Sequence, residues 1–196
     1  MHLFDKSVGM EGSSAIVAGS VPLAVGAGLT AQLKGTDQVC ASFLGDAATE
    51  EGVFWESLNF AALKKLPVVF ICENNFFSVC SPIEVRQPNV EIYKKVAGFG
   101  VPSVQIDGTN VLEVYEATQK AVHRSRQGKG PSFIEATAYR WRGHAGAHDD
   151  SHTGYRDQEE AEHWKKFCPV QTYFSFLYDK NILGVKEWEM MRKEIK

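Results

Sequence analysis

The sequence predicts an α/β fold in which helices cover both faces of a doubly wound, mostly parallel sheet. Short apolar runs alternate with longer amphipathic stretches through the middle of the chain, which is the βαβ order that produces parallel sheets. The run over residues 68–72 lacks polar alternation, as expected for a strand buried on both faces. Several runs end at Gly, Asp or Asn, so the turns that follow them should meet at one edge of the sheet.

The first predicted elements are a helix and a strand. Residues 15–33 are small and mostly apolar, which indicates a helix packed closely against the sheet, with Pro22 marking a kink or the helix start. An apolar strand over residues 39–44 follows and stops at Gly45 and Asp46. The first strand therefore brings a carboxylate to the edge of the sheet.

The next unit is a helix over residues 49–65 followed by the strand over residues 68–72. Apolar side chains recur at i, i+4, i+7 and i+8 and form one stripe of the helix: Phe54, Leu58, Ala61 and Ala62. Glu50 and Glu51 are expected in the first turn of this helix, where its dipole favours negative charge. The strand stops just before Asn75, which places an amide oxygen beyond the second strand.

The remaining elements continue the alternation. They are a mostly covered loop over residues 76–88, a helix over 91–98, a strand over 101–106, a helix over 111–126 and a strand over 132–138. Leu112, Tyr115 and Val122 are expected on one side of the helix over 111–126. Residues 157–196 are helical in pattern. We expect a single domain over residues 1–196, with 157–196 as its C-terminal helical cap.

Composition restricts the classes of function. The chain has 196 residues, 23% charged and 44% hydrophobic, with a net charge of −3, so it carries no basic surface that would favour nucleic acid. Its apolar stretches are interrupted well short of the roughly 20 residues that span a bilayer. The four cysteines show no CxxC spacing, and residues 1–12 lack the pattern of a signal peptide. We therefore expect free thiols and a cytoplasmic location.

Asp46 and Asn75 are candidate metal ligands. They follow neighbouring strands of the predicted sheet, and ligands of open parallel sheets bind outside the carboxyl ends of the strands. Carboxylate and carboxamide oxygens suit Mg²⁺, which usually takes one or two protein groups together with phosphate oxygens. The pattern indicates a Mg²⁺–phosphate site at this edge.

Residues 45–75 resemble the thiamine diphosphate motif, in which Gly-Asp-Gly is followed further along the chain by Asn-Asn. Within that superfamily the chain is most similar to the alpha subunit of 2-oxoacid dehydrogenases, the first, decarboxylating component of those complexes. Glu51-Gly52, the run LNFAALKKLP and the run ICENN agree with that family. The resemblance implies thiamine diphosphate and Mg²⁺ as cofactors, oxidative decarboxylation of a 2-oxoacid, and acyl transfer to a lipoyl carrier.

The resemblance also assigns site residues. It implies that Asp46, Asn75 and the carbonyl of Phe77 bind the metal. Ala47 stands where the family has the third Gly of its motif. The positions that the resemblance implies for cofactor binding are Val17, Gly45, Asp46, Ala47, Ala48, Glu51, Asn75, Val79 and Arg140.

The loop after the last strand carries a second motif. Tyr139, Arg140, Gly143 and His144 match the family pattern Tyr-Arg-x-x-Gly-His, which implies that Arg140 meets the diphosphate and that His144 is catalytic at the reacting centre. A planar guanidinium suits phosphate, and an imidazole can move protons near pH 7. Ala145 replaces the Ser that follows the His in the family, so phosphorylation at this position is excluded.

Two alternative sites compete with this one, a Zn²⁺ site and a nicotinamide dinucleotide site. His144, His148 and His152 recur every four residues beside Asp149 and Asp150 and would form a Zn²⁺ site on a helix, although the glycines of this loop argue against a regular helix. In the second alternative site, Gly26, Gly28 and Ala31 match a nicotinamide dinucleotide fingerprint. Only a short helix could follow Gly28 there, which disfavours a nicotinamide-dependent oxidoreductase.

The resemblance implies partners as well. In the family the Glu that activates the pyrimidine ring comes from a beta-type subunit, in a heterotetramer, and a lipoyl acyltransferase accepts the acyl group. The chain corresponds to the later part of the alpha subunit, so we expect an N-terminal segment to be lacking and the chain to be inactive alone. A homodimer through residues 15–33 is the alternative assembly, and a catalytically silent cofactor-binding or assembly module is the alternative function.

Overall fold

Parallel pairing of four apolar strands forms the centre of the computed structural model, which describes residues 2–146, 148 and 150–195. The strands are β1 (Cys40–Gly45), β2 (Val68–Asn74), β3 (Phe77–Ser78), β4 (Ser81–Pro82), β5 (Ser103–Asp107) and β6 (Ser132–Thr137). The helices are α1 (Ser20–Lys34), α2 (Gly52–Lys64), α3 (Ile92–Ala97), α4 (Val111–Arg126), α5 (Gln158–Lys165), α6 (Pro169–Asp179) and α7 (Val185–Glu194). Short 3-10 turns lie at Lys6–Val8, Asp46–Glu50, Ile83–Val85 and Ser151–Thr153.

The main sheet has the order β1-β2-β6-β5, and all of its pairs are parallel. Crossover helices connect its strands, so the predicted α/β class with a parallel sheet is confirmed. β3 and β4 form a separate antiparallel hairpin within the loop that was predicted over residues 76–88. This hairpin lies just beyond the end of β2, where it can shape a site.

Helices cover the two faces of the sheet unequally. The larger core lies between the sheet and α1, α2 and α3, and its fully buried members include Val21, Phe54, Leu58, Phe70, Ile92 and Phe133. The ring of Phe54 meets the rings of Phe70 and Phe133 edge-on, at centroid distances of 6.3 and 6.0 Å. A smaller core on the other face joins α4 to Val69 and Ile134. Both cores confirm that the central strands are buried on two faces.

Two predicted helix starts were wrong by several residues. α1 begins at Ser20 rather than at residue 15, with Pro22 in its first turn, where the missing N–H is tolerated. α2 begins at Gly52 rather than at residue 49, because the chain first forms the 3-10 turn Asp46–Glu50 and Glu51 is the extended N-cap residue. Glu50 and Glu51 therefore precede the first turn of α2.

Of the three apolar residues expected on one side of α4, Val122 packs against the smaller core, whereas Leu112 and Tyr115 are exposed. Ala121 and Ser125 are buried against the sheet. Small side chains at these positions let the helix lie close to β5 and β6.

At the C-terminus, α5 buries Ala161, but α6 and α7 have no buried residue in the part of the chain that the structure describes. The C-terminal cap stays a prediction. Within the described residues, none of the helices combines the length and apolarity that a membrane crossing requires.

The dinucleotide fingerprint is not formed. Gly26, Gly28 and Ala31 all lie inside α1, so they make no turn between a strand and a helix. Gly28 instead allows α1 to approach β2, since a Cβ at this position would lie only 2.6 Å from Cγ2 of Val68. A Cβ at Gly26 would meet no atom within 4 Å. The two glycines of this motif therefore have different roles in packing.

We predict that Gly28→Ala lowers the free energy of unfolding by about 1–3 kcal/mol, because the new methyl group overpacks the contact between α1 and β2. Gly26→Ala is the matched control in the same helix, and it should be neutral or stabilising by up to about 1 kcal/mol through helix propensity. Urea denaturation of the three proteins measures both effects. Equal stability of the two variants would contradict the close approach.

Candidate functional site

The turns after β1, β2 and β6 lie at one edge of the sheet. Gly45 is in register with Glu73, and Asn74 is in register with Thr137, so the three strands end side by side. The residues that follow are Asp46, Asn75 and the segment that carries Arg140. The expected common edge is thus present, and its side chains define the candidate site.

Asp46 is a buried carboxylate whose partner is an arginine. It is 1% exposed, and its Oδ2 accepts a hydrogen bond of 2.5 Å from Nη2 of Arg86. Nη1 of Arg86 pairs with Glu50, and its Nε donates to the carbonyl of Ser81 at 3.1 Å. Among the described residues, no group donates a hydrogen bond to Oδ1 of Asp46, which leaves this oxygen available to a ligand.

The two asparagines at the end of β2 have different roles. Asn74 is buried, and its amide donates to Glu135 at 2.7 Å while its Oδ1 accepts the N–H of Phe76 at 2.9 Å. These bonds shape a turn in which Phe76 has a positive φ of 69°. Asn75 is half-buried, and its Oδ1 accepts the N–H of Phe77 at 3.2 Å. Asn74 is therefore structural, whereas the only hydrogen bond that the Asn75 side chain makes with the described residues is the local one from Phe77.

Glu135 supports this turn from within the sheet. It is fully buried in β6, and its second carboxylate oxygen accepts the N–H of Tyr93 at 2.8 Å, at the start of α3. Burial, and then the negative charge of Glu135, raises the pKa of the Cys72 thiol well above its usual value. Burial also lowers the pKa of Lys95, which Glu135 partly opposes. Glu135 thus connects β2, α3 and the turn that ends in Asn75.

Arg140 joins the loop after β6 to the loop after β2. Its Nη2 donates to the carbonyl of Val79 at 2.7 Å and to the hydroxyl of Tyr155 at 2.8 Å, and its Nη1 lies 3.4 Å from Nδ1 of His144. Val79 is 48% exposed. Its φ of 53° is a left-handed conformation that costs a residue other than glycine about 1–3 kcal/mol. The structure brings Val79, Arg140 and His144 together.

A second network holds the loop that carries His144. Tyr155 donates its hydroxyl to Asp150 at 2.6 Å, and the buried guanidinium of Arg156 pairs with Asp150 and donates to the carbonyl of Arg140. Burial and the bond to Asp150 raise the pKa of Tyr155. Burial alone would raise the pKa of Asp150, but hydrogen bonds from Tyr155 and Arg156 lower it. The side chain of Tyr155 therefore links this network to Arg140.

The zinc alternative is not supported. Among the described residues, no group of three His, Cys, Asp or Glu side chains lies within reach of one metal ion. His144, His148 and His152 are exposed, and Asp149 lies outside the described residues. The four cysteines are free thiols, as expected.

The other predicted cofactor positions lie around the turn Asp46–Glu50. Ala48 is buried, Ala47 is half-buried, and Gly45 and Glu51 are exposed at the two ends of this turn. Val17 is 57% exposed in the segment before α1, and it makes none of the contacts described above. The structure thus groups all of these positions except Val17 next to Asp46.

Sequence reasoning missed Arg86, Glu135 and Tyr155 as parts of this edge. Glu135 carried a usable signal, since a single carboxylate in the apolar strand SFIEAT needs a hydrogen-bonding partner when it is buried. Arg86 gave no comparable signal, because a charged residue in a loop is usually solvated. Its role is visible only in the folded chain.

Comparisons with known proteins agree with the motifs. All 196 residues match the family described as "Dehydrogenase E1 component". The chain is 39% identical over 177 residues to the alpha subunit of acetoin:2,6-dichlorophenolindophenol oxidoreductase of Bacillus subtilis, covering 90% of the chain and 53% of the relative.

Two further relatives carry names of 2-oxoacid dehydrogenases. The chain is 35% identical over 203 residues to the pyruvate dehydrogenase E1 component subunit alpha of Porphyra purpurea, covering 100% of the chain and 58% of the relative. It is 36% identical over 194 residues to the 2-oxoisovalerate dehydrogenase subunit alpha of Bacillus subtilis, covering 99% of the chain and 58% of the relative. The chain therefore spans little more than half the length of these relatives.

We predict that Glu135→Gln lowers the free energy of unfolding by about 1–3 kcal/mol, since the new amide faces either Asn74 or the N–H of Tyr93, both of which are donors. Glu73→Gln is the matched control, because Glu73 precedes Asn74 on β2 and is exposed. It should change the stability by less than about 0.5 kcal/mol. The measurement is urea denaturation at pH 7. If Glu135→Gln left the free energy of unfolding unchanged, the carboxylate would not be needed at this position.

Proposed function

The chain belongs to the dehydrogenase E1 component family, and we propose that it binds Mg²⁺ and the diphosphate end of thiamine diphosphate in an alpha-type subunit that decarboxylates a 2-oxoacid. The observation that carries this proposal is the buried carboxylate of Asp46, which follows the end of one parallel strand while Asn75 follows the end of its neighbour. The names of the three relatives supply the reaction class, since two of them are dehydrogenases of pyruvate and 2-oxoisovalerate.

The donor set at this edge fits Mg²⁺. Asp46 offers a carboxylate oxygen, Asn75 a carboxamide oxygen and Phe77 a backbone carbonyl, and Mg²⁺ prefers such hard oxygen ligands in small number. The turn Asp46–Glu50 lies against the hairpin strand β3, which includes Phe77. The buried carboxylate of Asp46 also needs a positive partner, a requirement that Arg86 meets in the structure.

The same edge suits a diphosphate. The first turn of α2 begins at Gly52, so its free N–H groups and its dipole favour an anion. Ala47 lies in a 3-10 turn, a conformation open to any residue, so its replacement of Gly causes no backbone strain. Arg140 adds a planar cation that can bind phosphate oxygens in pairs. Together these groups hold and orient the phosphate end of the cofactor.

His144 is proposed to act at the reacting end. Thiamine diphosphate, when bound, supplies the carbon chemistry of decarboxylation, while the protein contributes binding, orientation and electrostatics. A hydrogen bond from Arg140 to Nδ1 of His144 leaves the proton on Nε2. In this tautomer the exposed Nε2 can donate to a substrate oxygen or return a proton.

A partner should complete the site. The residues assigned above would contact the phosphate end and the reacting end, and we propose that a beta-type subunit supplies the Glu that engages the pyrimidine ring. A heterotetramer with that subunit, acyl transfer to a lipoyl acyltransferase, and a cytoplasmic location complete the proposal. The names of the relatives support the alpha assignment. The alternative, a catalytically silent assembly module, predicts cofactor binding without turnover when the partner is present.

We predict that Asp46→Asn weakens the binding of thiamine diphosphate in the presence of Mg²⁺ by at least about tenfold, because the ion loses its only charged protein ligand. Isothermal titration calorimetry with and without Mg²⁺ measures this effect. Asp37→Asn is the control, since Asp37 precedes β1 at the opposite edge and should bind like the wild type. If Asp46→Asn bound thiamine diphosphate in the presence of Mg²⁺ with the affinity of the wild type, the assignment of Asp46 as a metal ligand would be wrong.

We predict that His144→Ala lowers turnover of the chain assembled with a beta-type subunit by about 10²–10⁴-fold, the usual size for a proton-transfer group. Cofactor affinity should change little, because the assigned diphosphate ligands are retained. His152→Ala is the control, since His152 lies exposed in the same loop. The assay is 2-oxoacid-dependent reduction of an artificial electron acceptor. Unchanged turnover in His144→Ala would show that His144 is an ordinary surface residue without a catalytic role.

A further inference from the structure

Arg86 has a more constrained environment than a loop arginine requires. Its side chain is 10% exposed, and its three nitrogens each find an acceptor: Nε bonds the carbonyl of Ser81, Nη1 pairs with Glu50, and Nη2 pairs with Asp46. The acceptors come from the hairpin β3–β4 and from the turn before α2. The guanidinium is therefore fixed directly beside the carboxylate that is proposed to bind the metal.

Neighbouring side chains hold the two partners of Arg86. The amide of Gln87, which is buried, donates to Glu50 at 2.9 Å and its oxygen accepts from Lys95. The hydroxyl of Thr49 donates to the carbonyl of Asp46 at 2.6 Å. Because Gln87 holds the carboxylate of Glu50 and Thr49 holds the backbone of Asp46, Arg86 cannot move away from Asp46 without breaking its bonds to Glu50 and Ser81 as well.

We propose that Arg86 is an internal cation that neutralises Asp46 and keeps a free divalent ion out of the site until an anionic diphosphate enters with it. This inference rests on the proposed metal site at Asp46. An ion bound to Oδ1 of Asp46 would lie close to the guanidinium on Oδ2, and an ion that took Oδ2 would have to displace the guanidinium. In both cases the metal meets a fixed positive charge in a poorly solvated place.

A diphosphate changes this balance. Its negative charges attract both the metal and the guanidinium, so that Arg86 opposes the metal alone and favours the metal together with the anion. Arg86 therefore makes the binding of the two ligands depend on each other, which is a coupling between sites in the thermodynamic sense. As a positioning residue, Arg86 acts through Asp46 and through the charge of the site.

The test measures the binding of Mn²⁺, an ion of similar oxygen preference that electron paramagnetic resonance detects in its free form. We expect Arg86→Gln to bind Mn²⁺ alone about tenfold or more tightly than the wild type, which corresponds to about 1.4 kcal/mol. A residue that merely supports the fold would give weaker binding when it is removed. Arg192→Gln is the charge-matched control, since Arg192 lies on α7, and it should bind Mn²⁺ like the wild type.

A second variant and a second ligand complete the experiment. Arg86→Lys keeps the charge and should bind Mn²⁺ alone as weakly as the wild type, so it tests the proposal even if Arg86→Gln fails to fold. Thiamine diphosphate should tighten the binding of Mn²⁺ in both proteins, but by a factor that is several times smaller in Arg86→Gln than in the wild type. Unchanged or weaker Mn²⁺ binding by folded Arg86→Gln, or tighter binding by Arg86→Lys, would overturn the proposal.

Asp46→Asn separates this inference from the proposed function. If Asp46→Asn leaves Mn²⁺ binding with thiamine diphosphate unchanged, the metal site itself is wrong, and the role of Arg86 falls with it. If Asp46→Asn weakens this binding but Arg86→Gln does not strengthen the binding of Mn²⁺ alone, only the role of Arg86 is wrong.

Discussion

The geometry of the candidate site depends on the hydrogen bonds of one buried carboxylate, Glu135. A charged group inside a sheet is costly unless every oxygen has a donor, and the two oxygens of Glu135 obtain theirs from Asn74 and from the N–H of Tyr93. The first bond fixes the amide of Asn74, whose other end then fixes the turn at Phe76. The second bond satisfies one of the free N–H groups at the start of α3. One side chain in β6 thereby sets where Asn75 leaves β2.

The loop over residues 76–88 connects the two halves of the edge. Ser81 holds Arg86, which pairs with Asp46 on one side, and the carbonyl of Val79 accepts Arg140 on the other. Val79 adopts its unfavourable positive φ within this loop. A hydrogen bond to a charged donor contributes about 1.5–3 kcal/mol, which is comparable to the cost of that conformation. The strain at Val79 is therefore offset by the same arginine that lies beside His144.

The sequence was sufficient for elements whose patterns arise locally. α4 has the predicted bounds of residues 111–126 because Asn110 caps its start through a local hydrogen bond to Leu112. The common edge was predictable because parallel strands share their direction. A turn at Asp46 was expected, but its 3-10 conformation as far as Glu50 was not predicted, since acidic residues suit the first turn of an α-helix as well as a 3-10 turn before it. Arg86 and Glu135 find their partners across the fold, and no local pattern encodes such pairs.

The charges at this edge explain why a site of this kind would be completed by its ligands. Asp46 and Glu50 share the single guanidinium of Arg86, so these three groups carry a net charge of −1. That charge attracts a divalent ion, but the position of Arg86 opposes its close approach. Arg140 on the other side of the loop attracts an anion, but its hydrogen bonds already go to Val79 and Tyr155. In the proposed site, a metal and a diphosphate that arrive together would satisfy both sides, because each would compensate the charge that hinders the other.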